Sequence, residues 1–277
     1  MSFHNPEEYL DRVEAVARCG ADALMPYWRS LEPHEIREKS RNDLVSAADR
    51  AADAAILAEI ERDFPDHAVL AEESGWSRRS DDQPTWIVDP LDGTTNFVHG
   101  IPQFAVSIGV AVAGRVDFGV ILDPVKQDVF RAGRGMGATW NGNPCSVTGR
   151  GGLDGALIAT GFPFKEHALL DPYLAIFREV FLRCKAIRRP GAAALDLAYV
   201  ACGLFDGFFE FGLSPWDLAA GSLLVEEAGG MISDMDGGSD VLASGDVLCG
   251  TTGVHPELLA VVQRFRESWA SARPDRD

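Results

Sequence analysis

Trp86-Ile87-Val88-Asp89-Pro90-Leu91-Asp92-Gly93-Thr94-Thr95-Asn96-Phe97 joins an apolar strand to a helix start through a turn that carries two carboxylates. The pattern predicts a strand over 85–89, a bend set by Pro90 and Gly93, and a helix opened by Thr94-Thr95. Hard cations such as Mg²⁺ take oxygen ligands and usually share their coordination with a substrate phosphate. The amides and dipole at a helix start attract an anion to the same place. Acids for a metal beside amides for a phosphate are the parts of a phosphoryl-transfer site. Asp89 and Asp92 also read as plain turn formers, so the functional reading needs further acids.

Two other segments supply them. Ala68-Val69-Leu70-Ala71 reads as a short buried strand ending in Glu72-Glu73-Ser74-Gly75. Leu213-Ser214-Pro215-Trp216-Asp217 sets an acid at the start of an apolar helix over 217–228. Two divalent ions ~4 Å apart require carboxylates from several elements. Glu72, Asp89, Asp92 and Asp217 are the candidates. Each has a structural alternative: Glu72 as a charged strand end, Asp217 as a helix cap. Asp49, in Ser46-Ala47-Ala48-Asp49, has near-capping-box spacing, which alone accounts for an acid there.

Asp89-Pro90-Leu91-Asp92-Gly93-Thr94-Thr95 resembles the first signature of the inositol monophosphatase family. Trp216-Asp217 with Ala219-Ala220-Gly221 and Glu227-Ala228-Gly229-Gly230 resembles its second. The similarity in element order runs from about Glu7 to about Phe265. It implies an α/β fold, a layered α/β/α/β/α sandwich of the inositol monophosphatase and fructose-1,6-bisphosphatase type, with the site between two lobes. It implies two or three Mg²⁺ ions held by Glu72, Asp89, Asp92, Asp217 and the Leu91 carbonyl, one of them displaceable by lithium. Thr94, backed by Asp49, and Glu72 would align the attacking water. The amides of Gly93 and Thr94, with Thr95 beside them, would hold the phosphate. Glu210 and the Ala193 backbone would meet substrate hydroxyls next to Asp92 and Asp217. Lys39 has family-like spacing to lie near metal and phosphate, and equally reads as a solvated lysine.

The activity so implied is hydrolysis of inositol monophosphate by water under Mg²⁺. Relatives with the same metal core act on fructose bisphosphate, histidinol phosphate or nucleotide 3′-phosphates, and some bacterial relatives bind transcription machinery. A broad sugar-phosphate phosphatase, or a regulatory partner-binding protein with a retained site, therefore stands beside it. Gly191 to Tyr199 and Thr160 to Phe164 resemble the bacterial inositol monophosphatase branch and tip the choice. Ser214 departs from it, standing where animal members place histidine and many bacterial ones lysine. Relatives are usually homodimers.

The 277 residues are 46% hydrophobic and 24% charged, enough for one large α/β domain or two packed lobes. A net charge of −17 argues against a nucleic-acid partner or an anionic membrane surface. No apolar run reaches spanning length and Met1 to Glu8 lacks a secretion signal, so a cytoplasmic location is expected. Five cysteines without C-x-x-C spacing read as small buried hydrophobes, and six histidines, His99 included, show no ligand spacing. Gly133-Arg134-Gly135-Met136-Gly137 reads as a twisted hairpin, since no helix follows to make it a phosphate loop. Arg188-Arg189 reads as an exposed pair, a subunit contact or a site rim.

Periodicity predicts helices over 6–28 and 46–64 and strands over 68–72, 85–89, 104–112 and 115–122, with 129–130 and 138–140 continuing the sheet. A polar loop runs through Asp82, and turns are expected at Asp123-Pro124 and Asn141-Gly142. Past a glycine-rich break at 149–155 come strands 156–160, 186–189, 207–211, 231–233 and 246–250. Between them lie helices 171–183, 192–203 and 217–228, and a last helix covers 256–270. The change from meander to alternation divides the chain near 150: a lobe 1–150 carrying Glu72, Asp89 and Asp92, and a lobe 151–277 carrying Asp217. The tail 271–277 reads as frayed.

Overall fold

Asn5 caps the first helix, α1 (Pro6–Leu24), whose buried residues Tyr9, Leu10, Val13, Val16, Ala17 and Leu24 recur at helical spacing. Pro26 cannot donate to the helix, so the chain leaves it through a single 3₁₀ turn, Met25–Tyr27, earlier than the expected 28. A computed structural model describes residues 5–40, 43–79 and 83–273. Next come the hairpin β1 (Ile36–Ser40) and β2 (Asp43–Ser46), then α2 (Ala47–Asp63), β3 (Ala68–Ala71), β4 (Gly75–Arg78) and β5 (Thr85–Asp92). A one-turn helix, α3 (Thr94–Val98), leads to β6 (Ala105–Val112), β7 (Arg115–Asp123), β8 (Asp128–Gly133), β9 (Gly137–Trp140) and β10 (Asn143–Cys145).

The second half runs β11 (Leu157–Thr160), α4 (Leu170–Phe181), β12 (Ala186–Arg188), α5 (Ala193–Ala201), β13 (Gly207–Glu210) and α6 (Pro215–Glu227). It ends with β14 (Met231–Ser233), α7 (Val241–Ser244), β15 (Val247–Gly250), α8 (Val254–Gln263) and α9 (Arg266–Ser271). Two sheets result. The larger has the order β10-β9-β8-β7-β6-β5-β3-β4, antiparallel but for the β3–β5 pair. The smaller has the order β12-β11-β13-β15-β14, with β12, β11 and β13 parallel and the rest antiparallel.

Alternation along the strands sorts side chains into three cores. Trp86 and Val88 of β5 meet Val13 and Ile56 of α1 and α2 on the outer face of the large sheet. Ile87, between them, faces the middle layer with Leu197 and Leu223 of α5 and α6. Phe208 closes that middle core from the small sheet, while Phe209 points the other way onto Tyr173, Ile176 and Leu258 of α4 and α8. The layers are therefore helix, sheet, helix, sheet, helix, as the resemblance implied.

Local expectations fared unevenly. Asn141 (φ 50°) and Gly142 (φ 78°) make the expected hairpin turn, and Gly133 pairs with Gly137 to close the β8–β9 hairpin. The helix expected over 256–270 is two helices, because the chain turns at Arg264-Phe265 and packs Phe265 into the outer core. The loop through Asp82 contains β4, an exposed edge strand beside β3; residues 80–82 lie outside those described. The β1–β2 hairpin had no apolar alternation to announce it. All five cysteines are free, but only Cys249 is fully buried.

Candidate metal and phosphate site

Side chains on a strand alternate, so Asp89 and Asp92, three positions apart, should face opposite sides. They do not. Asp89 lies opposite Ser107 of β6 and Asp92 opposite Ala105, three steps on one strand against two on the other. That extra residue is a β-bulge, which shifts the phase and brings both carboxylates to one side. Pro90 lacks an amide proton and is tolerated at such an irregularity. The bulge is locked by the Leu91 amide, which donates to Asp89 Oδ1 at 2.9 Å.

Asp217 arrives from α6, which lies directly on the large sheet. A Cβ at Gly109 would sit 2.6 Å from the Ala219 Cβ, and one at Gly119 would sit 3.0 Å from the Ala220 backbone. Glycine on the strands and alanine on the helix set this close approach. Ser214 caps α6, and its amide donates back to Asp217 Oδ2 at 2.7 Å. Asp89, Asp92 and Asp217 each offer an oxygen, and the three lie within 4.8 Å of one another. Among the described residues this is the group spaced to hold a cation.

Glu72 enters the same cleft from the end of β3 but stands outside that tight triad. Its carboxylate takes the Lys39 ammonium at 3.1 Å, and Lys39 also pairs with Glu73. Burial alone would lower the Lys39 pKa, but the field of Glu72 and the bond to Glu73 raise it. Burial lifts Glu73 to about 7, with Lys39 opposing.

Asp49 does cap α2: its Oδ2 accepts from both the Ser46 amide (2.8 Å) and hydroxyl (2.6 Å). Its other oxygen accepts the Thr94 hydroxyl at 2.8 Å, across 45 residues of chain. The cap and the threonine contact coexist. Gly93, the N-cap of α3, adopts φ 91°, and a Cβ there would press on the Gln103 carbonyl at 2.9 Å. Gly93, Thr94 and Thr95 line the cleft beside the acids.

Helix α5 has no side-chain cap of its own. Asp92 supplies one from the other sheet, its Oδ2 accepting the Ala194 amide at 2.8 Å with the Ala193 amide also directed at it. Ala193 is thus buried against Asp92, and its side chain does not reach the cleft wall. Glu210 does reach it, lying so close over Gly161 that no side chain fits there.

Burial raises Asp89, Asp92, Asp217 and Glu210, and neighbouring carboxylates add to it. Asp89 is held well above the usual carboxylate range by burial and then by Glu72, Asp92 and Asp217. Asp92 is pushed up to about 8 by burial and Asp217, and Asp217 to about 6 by burial and Glu72. Glu210 reaches about 8 through burial, moderated by Arg189. Three carboxylates at this separation are the oxygen-only donor set a hard divalent cation requires, and such an ion is the counter-charge that would keep them ionised. The residues fit Mg²⁺.

A cleft of ≈ 640 Å³ contains the site, a volume suited to a small organic ligand. Its far wall came unassigned from the sequence. Phe162 and Phe164 flank the Arg189 guanidinium, whose carbon lies 5.9 and 5.2 Å from their rings, with Lys165 beside them. Arg189 is therefore at the site rim, while Arg188 is exposed at the end of β12. Asn96 also had no assigned role. Its amide donates to the Gln103, Pro190 and Gly191 carbonyls at 2.7–3.2 Å and staples the 190–191 turn to α3.

A sequence profile of the inositol monophosphatase family matches residues 5–268. The chain belongs to that family. It is 46% identical over 251 residues to the Nus factor SuhB of Pseudomonas aeruginosa, spanning 89% of this chain and 93% of that protein. Its fold matches the extragenic suppressor protein suhB of Bartonella henselae with a TM-score of 0.88 at 39% identity, over 93% of this chain and 99% of the other. An inositol monophosphatase from Anabaena follows, with a TM-score of 0.84 at 38% identity over 93% and 96% of the two chains.

Proposed function

We propose that this protein is a Mg²⁺-dependent phosphomonoesterase that hydrolyses inositol monophosphate to inositol and phosphate. The observation that carries this reading is the convergence of Asp89, Asp92 and Asp217 in the cleft that also holds the Thr94–Asp49 pair. Asp89, Asp92 and Asp217 would hold the ions, two or three in number, with Glu72 and the Leu91 carbonyl completing the set. When bound, Mg²⁺ supplies positive charge to the phosphate oxygens and acidifies a water molecule. Thr94 commits its proton to Asp49 or to the Leu91 carbonyl (3.1 Å), so its oxygen accepts a hydrogen bond from the attacking water and orients it. Glu72 aligns the same water from the other side.

The Gly93 and Thr94 amides, with Thr95, hold the phosphate at the start of α3. Lys39 adds a cation at the rim through Glu72 and Glu73. Glu210, Asp92, Asp217 and the Ala193 backbone meet the hydroxyls of the leaving polyol. Water adds to phosphorus as the ester P–O bond breaks, and the released alcohol takes up a proton.

A substrate panel tests this directly: inositol 1-phosphate, fructose 1,6-bisphosphate and histidinol phosphate at equal concentration, with Mg²⁺ or EDTA. Inositol 1-phosphate should give the highest kcat/KM and EDTA should abolish release. Preference for either other ester would overturn the substrate, and no release from any would overturn the enzyme class. A second reading draws on the name Nus factor carried by the Pseudomonas aeruginosa relative: a regulatory protein binding transcription machinery while keeping the site. Equal capture of such a partner by wild type and Asp89→Asn, with and without Mg²⁺, would favour that role.

The reading includes a cytoplasmic homodimer. No helix among the described residues is long and apolar enough to cross a membrane. Leu170, Leu174 and Phe181 form an exposed apolar stripe along α4, continued by Leu182, that a second copy would cover. Leu174→Glu should shift the mass measured by light scattering from dimer to monomer.

A further inference from the structure

Asp217 is anchored from an unexpected direction. Arg273, in the turn after α9, lies beneath the segment that joins β13 to α6. Its terminal nitrogen pairs with Asp246, the two side chains being 16% and 3% exposed. Its guanidinium carbon lies 5.6 Å from the Phe211 ring and 5.3 Å from the Trp269 ring. Asp246 in turn accepts the Gly212 amide at 3.2 Å. One residue on, the Leu213 amide donates to the Gly245 carbonyl at 2.6 Å. Gly245 has φ +68°, and a Cβ there would stand 2.4 Å from the Leu213 oxygen, so only glycine permits the approach. Ser214 follows immediately, and its amide holds Asp217 in the α6 capping box. Phe211, Gly212 and Leu213 also line the cleft.

We propose that Arg273 is a positioning residue for the Asp217 side of the metal site, acting through Asp246 and the 211–214 segment. A carboxylate as buried as Asp246 needs a paired cation, or it must either take a proton or move toward water. Either change weakens its hold on Gly212, and the slack passes along three residues to Asp217. The inference rests on the proposed role of Asp217 as a metal ligand. It differs from a purely structural one, in which Arg273 only fastens α9 to the small sheet.

Arg273→Met keeps the apolar stem over Phe211 and Trp269 and removes the charge. Amide hydrogen exchange over 211–217 should then quicken, and the Mg²⁺ dissociation constant measured by calorimetry should rise ~10-fold, the lower end for outer partners of metal ligands. With inositol 1-phosphate, the Mg²⁺ concentration for half-maximal rate should rise in parallel, with kcat at saturating Mg²⁺ nearly unchanged. Asp246→Asn added to Arg273→Met removes the carboxylate charge that Arg273 faced and should restore both readouts. Exchange changes confined to 266–273, with unaltered Mg²⁺ affinity, would overturn the proposal. Should Arg273→Met not fold, Arg273→Lys keeps the charge without the planar fork and is expected to give intermediate values in the same measurements; wild-type values would overturn the proposal. If wild type hydrolyses no ester while exchange and Mg²⁺ affinity respond as stated, the proposed activity fails and the positioning role stands.

Discussion

Asp49 and Asp217 occupy the same place in two helices, the third residue after a serine cap, and each divides its two oxygens between two tasks. One oxygen closes the capping box; the other side of the carboxylate faces Thr94 in one case and Asp89 in the other. Asp49→Asn therefore tests two things at once. It keeps the size of the side chain but weakens the acceptor for Thr94, so kcat should fall ~10–100-fold. Loss of the charged cap should cost only about 1 kcal/mol in urea denaturation. The raised carboxylates also set a pH dependence. Asp217 at about 6 and Asp92 at about 8 bind protons more tightly folded than unfolded. Their contribution is thus fully present below the unfolded value near 4 and is lost as pH rises through 6 to 8. In EDTA the melting temperature should fall between pH 5.5 and 8.5; with Mg²⁺ the fall should flatten, and a parallel decline in both would contradict the shifts. The carboxylates were legible in the sequence as candidates, and the family resemblance supplied their roles. The capping of α5 by Asp92 was not, because its acceptor lies 102 residues away and nothing local announces it.

At the scale of elements, the site depends on two departures from regular geometry. The bulge in β5 turns Asp92 to the side of Asp89, and the glycines of β6 and β7 let α6 settle onto the sheet. Gly109→Ala would force a methyl against Ala219 and lift the N-terminal part of α6. Overpacking of this kind costs ~1–3 kcal/mol, read as a shift in the urea midpoint. Because Asp217 rides on that helix, the Mg²⁺ requirement should rise as well. A loss of stability with unchanged Mg²⁺ dependence would show that α6 re-seats without moving its first turn. The sequence indicated the strand, the turn residues and the helix, but the register between β5 and β6 is a property of the pair. The same reasoning covers the other surprises. β1 carries Arg37-Glu38-Lys39 where alternation would be the signal, and the α8–α9 break follows from where Phe265 finds its pocket. Arg273, within a tail expected to fray, is instead held by Asp246 and two aromatic rings; residues 274–277 lie outside those described.

Over the whole molecule, five layers hold three mutually repelling acids at the meeting of the large sheet and the middle helices. The hydrophobic cores on either side fix these carboxylates where, uncompensated, they oppose folding. Function and stability should therefore separate cleanly at Asp89. For the wild type, Mg²⁺ at a hundredfold excess over its dissociation constant adds about 2.7 kcal/mol. For a chain of this size that raises the melting temperature by roughly 5–10 °C. At alkaline pH, where the metal-free acids ionise, Asp89→Asn removes one buried charge and the amide keeps the shape, so repulsion on Asp92 and Asp217 falls. In EDTA at that pH this variant should melt above the wild type, and Mg²⁺ should scarcely move it. Its activity should nonetheless drop ~10³-fold, since several kcal/mol of charge stabilisation at ~1.4 kcal/mol per decade are lost with the ligand. A variant that melts below wild type in EDTA would mean that Asp89 is held by favourable contacts rather than against its neighbours' charge. Melting scans with and without Mg²⁺, paired with turnover of inositol 1-phosphate, distinguish the two because only the first outcome moves stability and rate in opposite directions.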